Sequence, residues 1–202
     1  MDRNFKKIMD ACIGASVPCA AWSTTGEVDE IIHQAVEWAA KYGKKTPAVF
    51  VWRESVGFQE YAAFVEDNDG SKSRTTSLEP SALAFETTAL EDAIFTPADD
   101  YPGATVPFAV DFIRDFDVDE EGRSAIFVLR DWHRHIEYNI DHVDRQLALF
   151  EQITTGDEKH IIAIGQPAWT DENIPVELNP HMYRATLELP DKAERLAIAT
   201  EW

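Results

Sequence analysis

Three strand-end stretches of this 202-residue chain carry residue types that can do chemistry. The first is Cys19-Ala-Ala-Trp-Ser-Thr-Thr-Gly-Glu-Val-Asp-Glu30, an apolar run that passes through one glycine into an acidic segment. A strand-to-helix junction of this kind binds phosphate when free backbone N–H groups and the helix dipole face the ligand. A working phosphate loop also needs several glycines and a lysine followed by Ser or Thr. Here Gly26 stands alone, no lysine lies between Lys7 and Lys41, and Glu27, Asp29 and Glu30 crowd the helix start. Those carboxylates complement the dipole themselves and repel a triphosphate. The second stretch, Ile126-Phe-Val-Leu-Arg-Asp131-Trp132, ends an apolar strand in a carboxylate, a hard oxygen ligand suited to magnesium. The residue after Asp131 is an indole, which cannot act as a base. Asp131 also suits a turn cap. The third, Ile161-Ile-Ala-Ile-Gly-Gln166-Pro167, places an amide at a strand end. It would sit beside Asp131 if the two strands are neighbours.

The run Asp131-Trp-His-Arg-His-Ile-Glu137 invites a metal reading through His133, His135 and Glu137. Alternate residues share a face only in a strand, and this segment is expected to turn into a helix. No metal site is therefore expected. Trp132, His133, Arg134 and His135 instead form a basic spot on an acidic chain, and Trp and Arg are favoured at binding hot spots. They are candidate interaction residues, set against a partly buried Trp with solvated neighbours. No Gly-x-Ser-x-Gly occurs, and the serines near strand ends have no obvious catalytic partner. Catalytic residues: none are assigned. Trp22, Trp52, Trp132 and Trp169 fall at or just after expected strands, where packing explains them better than base stacking.

Charge narrows the function classes. Asp and Glu number 37 against 18 Lys and Arg, a formal charge of −19, which repels nucleic acid and anionic membranes. An acidic surface suits solubility, a basic protein partner, or a decoy of nucleic acid. Two cysteines, Cys12 and Cys19, make neither a disulfide framework nor a zinc pattern. No signal peptide or membrane-span pattern is visible, so a soluble cytoplasmic protein is expected.

The elements that must position these residues alternate. Val17–Ser23, Pro47–Trp52, Ser124–Leu129, His160–Gly165 and Arg184–Leu189 read as five strands. A helix should follow the first, capped by Thr24-Thr-Gly-Glu27, with Val28, Ile31, Ile32, Ala35, Val36 and Ala39 on one face. Apolar period places further helices over Val106–Phe116 and about Glu137–Ile153. Ile174–Leu178 reads as a short helical turn, and Pro190 opens a last helix. Residues 53–103 read as an irregular insertion in one domain spanning 1–202. In it Asn68-Asp-Gly70 marks a hairpin tip or insertion, and Ser81–Phe95 stays open between helix and strand-plus-helix. The alternation predicts an α/β fold, a mostly parallel five-stranded sheet covered on both faces.

The acid-ended strand, the polar-ended strand and the tail Ile174-Pro-Val-Glu-Leu…Leu-Glu-Leu-Pro190-Asp-Lys-Ala-Glu-Arg195 resemble an AAA-type P-loop ATPase core. More narrowly, Val49-Phe-Val-Trp52 and Ala125-Ile-Phe-Val-Leu-Arg-Asp131-Trp-His133 are similar to the N-terminal, degenerate P-loop domain of AAA proteins from cyanobacteria and plastids. Residues 53–103 do not share in this likeness. The resemblance implies a three-layer P-loop NTPase-like fold with a degenerate phosphate loop, and Gly26, Asp131 and Gln166 as vestiges of a nucleotide and magnesium site. It implies a regulatory or scaffolding role, no bound ATP or magnesium, and a protein partner such as an AAA ATPase. Two other functions remain open at this stage. One is a divergent ATP hydrolase that uses Asp131 and Gln166 and is completed by a partner subunit. The other is an acidic decoy of a nucleic-acid-binding protein.

Overall fold

A computed structural model describes residues 3–24, 28–41, 48–55, 57–66, 72–74, 84–89, 105–116, 125–136, 139–153, 159–165, 169 and 174–186. The elements run α1 (Arg3–Gly14), β1 (Cys19–Ser23), α2 (Val28–Lys41), β2 (Ala48–Arg53), β3 (Gly57–Glu66), β4 (Lys72–Arg74), β5 (Ala84–Ala89) and α3 (Val106–Asp115). They continue with β6 (Ala125–Leu129), α4 (His133–Ile136), α5 (Ile140–Ile153), β7 (Lys159–Gly165), a 3-10 turn (Asn179–His181) and β8 (Met182–Thr186).

The sheet has eight strands in the order β4-β3-β2-β6-β7-β1-β8, with β5 also paired to β3. From β2 to β8 every ladder is parallel. These are the five strands expected from the sequence, the last of them starting two residues earlier than expected. The fold is thus α/β with a mostly parallel sheet. The region 53–103 departs from its expected irregularity. Gly57–Glu66 is a long strand antiparallel to β2, and β4 and β5 pair antiparallel to its other side. The stretch 67–71, read as a hairpin tip or an insertion, lies outside the described residues; the strands on either side of it pair antiparallel, Phe64 opposite Arg74. Helix α1 was not foreseen. The expected last helix and the capping box around Gly26 fall outside the described residues.

Strand alternation divides the core in two. Ala20, Trp22, Val49, Val51, Ile126, Val128, Ile162 and Ile164 face α1 and α2, where Phe5, Met9, Ile31, Ile32 and Trp38 cover them. Cys19, Ala21, Phe50, Trp52, Phe127, Leu129, Ile161 and Ala163 face α3, α4 and α5. Successive side chains point to opposite faces, so burial of both kinds requires the near-continuous apolar strands seen here. Beneath α3 a phenylalanine cluster fills the second face, with Phe50 stacked on Phe127 at 5.5 Å and Phe58 on Phe112 at 4.5 Å. Both cysteines are buried free thiols, and burial pushes both thiols up, Cys12 to about 11.

Two polar groups sit inside this packing. Lys159 is buried at the start of β7, where its ammonium donates to the Arg114 carbonyl at 2.9 Å. It satisfies a carbonyl at the C-terminus of α3, where a cation also favours the dipole. His160, next along the strand, lies edge-on to Trp38 at 5.8 Å, and burial lowers its pKa to about 4.

Lys159→Met strands that carbonyl, so chemical denaturation should show a loss of about 1–3 kcal/mol. The unfolded imidazole binds its proton near pH 6.5, above the folded value, so the unfolded state takes up more protons between the two. Stability linked to His160 is complete above about pH 6.5 and falls as pH drops toward 4. Melting curves of His160→Phe should be flatter across that window than those of the parent chain.

Candidate functional site

In a parallel sheet, ligands bind beyond the carboxyl ends of the strands, where neighbouring strands connect in opposite directions. The strand order locates that point. The chain leaves β1 through α2 and reaches β2 beyond β7 and β6. It leaves β7 the other way and reaches β8 beyond β1. The first connection covers one face of the sheet, and the second, with Ile174 and Leu178, covers the other. The crevice therefore lies between the ends of β1 and β7, and β6 is the next strand along. The strand ends leading to Gly26, Gln166 and Asp131 are side by side. Gly26 and Gln166 themselves lie outside the described residues.

The crevice is filled from within. In the β1–β7 register Ser23 stands opposite Gly165, both on the face covered by α3 to α5. Trp169 lies across the pair and is 5% exposed. Its backbone N–H donates to Ser23 Oγ at 2.9 Å. Its ring presses on Gly165, where a Cβ would come within 2.8 Å of Nε1 and 3.1 Å of Cδ1 and Cε2. Only glycine leaves that space. The Thr24 N–H donates to the Gly165 carbonyl at 3.2 Å, which closes the ladder behind the ring.

The end of β6 is built the same way. Asp131 takes φ 54°, a left-handed conformation that Asp tolerates better than most residues. That bend sends the chain back under the sheet edge. The Trp132 N–H then donates to the Ile164 carbonyl at 3.1 Å, and the Arg134 N–H to the Asp131 carbonyl at 3.1 Å. Asp131 is a turn residue at the start of α4, partly exposed.

The four candidate interaction residues separate. Trp132 is not a surface contact: it is 0% exposed. It packs edge-on to Trp52 at 5.2 Å, and its indole N–H donates to Gln146 Oε1 at 3.0 Å on α5. A buried indole needs an acceptor for its N–H, and Gln146 supplies one from the opposite element. His135 is half-buried between Trp52 (5.3 Å) and Trp132 (6.1 Å). Burial lowers its pKa, and Glu54, 3.9 Å away, opposes that only in part. Burial thus favours its neutral form, so the spot is less basic than its composition implies. His133 meets Trp169 edge-on at 6.1 Å. Arg134 is exposed. His142 carries the cluster into α5, its Nδ1 donating to the His135 carbonyl at 2.9 Å.

Ser23, Gly165, Trp169 and Gln146 are the residues that shape this edge, and sequence reasoning assigned none of them a site role. Ser23 does have a partner, the Trp169 backbone. The usable signal was Gly165, since a glycine at a strand end marks close approach of another group. Among the described residues no group of three or more His, Cys, Asp or Glu is placed to hold a metal ion. No described helix is long and apolar enough to cross a membrane.

The chain matches no protein-family model, no curated protein and no solved structure.

Gly165→Ala forces the Trp169 ring to shift against packed neighbours. A loss of about 1–3 kcal/mol in denaturant unfolding is expected, as for other overpacked cores. Unchanged stability would mean that the ring is free to move.

Proposed function

We propose that this chain is a non-catalytic, P-loop-like domain that acts by binding protein, with an AAA ATPase or a regulator of one as the partner. The filled crevice carries the reading. At the strand ends where a parallel sheet takes its ligand, Trp169 is buried across Ser23 and Gly165 and Trp132 is buried at the end of β6, and the sequence offers neither the several glycines nor the lysine that a triphosphate needs. The side-by-side ends of β1, β7 and β6 support the P-loop likeness, because that likeness requires the three vestigial positions to be neighbours. The left-handed turn at Asp131 supports a structural use of that carboxylate. Hydrolysis by this chain alone would lack both the lysine that positions phosphate and a base beside Asp131. The formal charge of −19 favours a basic surface on the partner and disfavours nucleic acid.

Calorimetric titration of the purified chain with ATP and magnesium tests the reading, and no saturable heat is expected. Asp131→Asn should leave the melting temperature and partner binding unchanged, since Asn adopts the same left-handed turn. Magnesium-dependent nucleotide turnover that Asp131→Asn abolishes would replace this reading with a hydrolase completed by another subunit.

A further inference from the structure

Two dipeptides of one pattern stand at the ends of neighbouring strands, Arg53-Glu54 at β2 and Arg130-Asp131 at β6. The Arg130 N–H donates to the Trp52 carbonyl at 3.2 Å, which extends the β2–β6 ladder by one residue and sets Arg130 beside Arg53. Trp52 and Leu129 face α3 to α5, so alternation turns the two arginines toward the other face. The carboxylates go the opposite way. Glu54 reaches His135 at 3.9 Å, and Asp131 acts on the same imidazole. Arg53 Nε is buried and has no hydrogen-bond acceptor. It is the one Arg or Lys atom so placed among the described residues. A guanidinium is always charged and only donates, so this N–H needs an acceptor brought from elsewhere.

We infer that Arg53 and Arg130 form a recognition site for a carboxylate, and that this carboxylate is an acidic side chain of the protein partner. The planar fork of a guanidinium matches a carboxylate through two parallel N–H···O bonds. The site lies at the carboxyl ends of two parallel strands, on the edge where such sheets take ligands. Both arginines are partly exposed, so the site opens to solvent. A single carboxylate suits the local charge. Glu54 and Asp131 directly follow the two arginines, and a polyanion would also meet the formal charge of −19. One site of opposite sign on an acidic chain fixes the register of a basic partner surface that carries one acid. This deepens the protein-binding reading and rests on it. Failure of that reading would appear as saturable heat with ATP and magnesium, whereas failure of this site would appear with carboxylates alone.

The Nε–H resonances of the whole chain, labelled with 15N-arginine, report the site, and Arg53→Met and Arg130→Met assign the two signals. Acetate is the carboxylate probe, with chloride at equal ionic strength as the reference and phosphate as the competing anion. Acetate should move the Arg53 signal saturably. Arg130→Met should weaken that binding on the order of ten-fold, as for loss of one charge-assisted hydrogen bond. No acetate-specific movement, or tighter binding of phosphate than of acetate, would overturn the inference. A lysine-rich peptide with one central glutamate should move the same signal at lower concentration than acetate does. Failure to do so would assign the site to a free small acid, against the inference. Methionine keeps the apolar stem of arginine, so Arg53→Met should melt no lower than the parent chain in chloride. A large fall would make Arg53 a structural group and also overturn the inference. If Arg130→Met does not fold, the acetate and peptide titrations of the parent chain decide.

Discussion

The pairing of Ser23 with Gly165 is the constraint on which the packing of the candidate edge depends. It puts a hydroxyl beside a residue with no side chain, on one face, at the point where two strands part. Side chains alternate along a strand, so a slip of one residue would turn Ser23 to the other face. It would also bring Trp22 out of its stack on Phe5, where the rings lie 5.0 Å apart. The register is held because both faces of β1 are buried, between β7 and β8, with no residue of the strand exposed. Trp169 can settle on the crevice only because this pairing has prepared a bare floor and a hydrogen-bond acceptor.

Aromatic packing and charge are kept apart. The face under α3 to α5 is filled by phenylalanines at its centre and by tryptophans with His135 at its C-terminal edge. Lys159 enters the interior only where a helix-end carbonyl receives its ammonium. A buried charge without such a partner would be costly, which is why the many carboxylates of this chain belong at its surface. In the proposed reading, the buried indoles of Trp132 and Trp169 leave the strand ends they cover unsuited to a phosphate, which would need water, cations and free N–H groups.

Much of the fold was legible because it is written locally. Four apolar runs and the alternating stretch Arg184–Leu189 marked the parallel strands, and the helical period of Val106, Ala109, Val110 and Ile113 marked α3, whose buried face they form. Strand β3 was missed because Gln59 and Glu60 interrupt its apolar residues, and its stability comes from ladders with β2, β4 and β5. Trp132 looked like a surface anchor because Arg134 and two histidines surround it in sequence. Its burial depends on Trp52 and Gln146, which no local window contains. The helix expected from about Glu137 to Ile153 begins at Ile140 for a local reason: Asn139 Oδ1 accepts the Asp141 N–H and caps it.

By itself the sequence determined the class of sheet, the acidity of the surface, and the shortage of glycine and lysine at the Gly26 junction. These follow from composition and from periods of two and 3.6, which neighbouring residues express without help. Tertiary structure alone decided that β7 inserts between β1 and β6, and so which strand ends meet. It also decided that Trp169 covers the crevice they form. The physical reason is that strand order is chosen by pairing between distant segments. A ring finds its seat only after that pairing has set a hydroxyl and a glycine side by side.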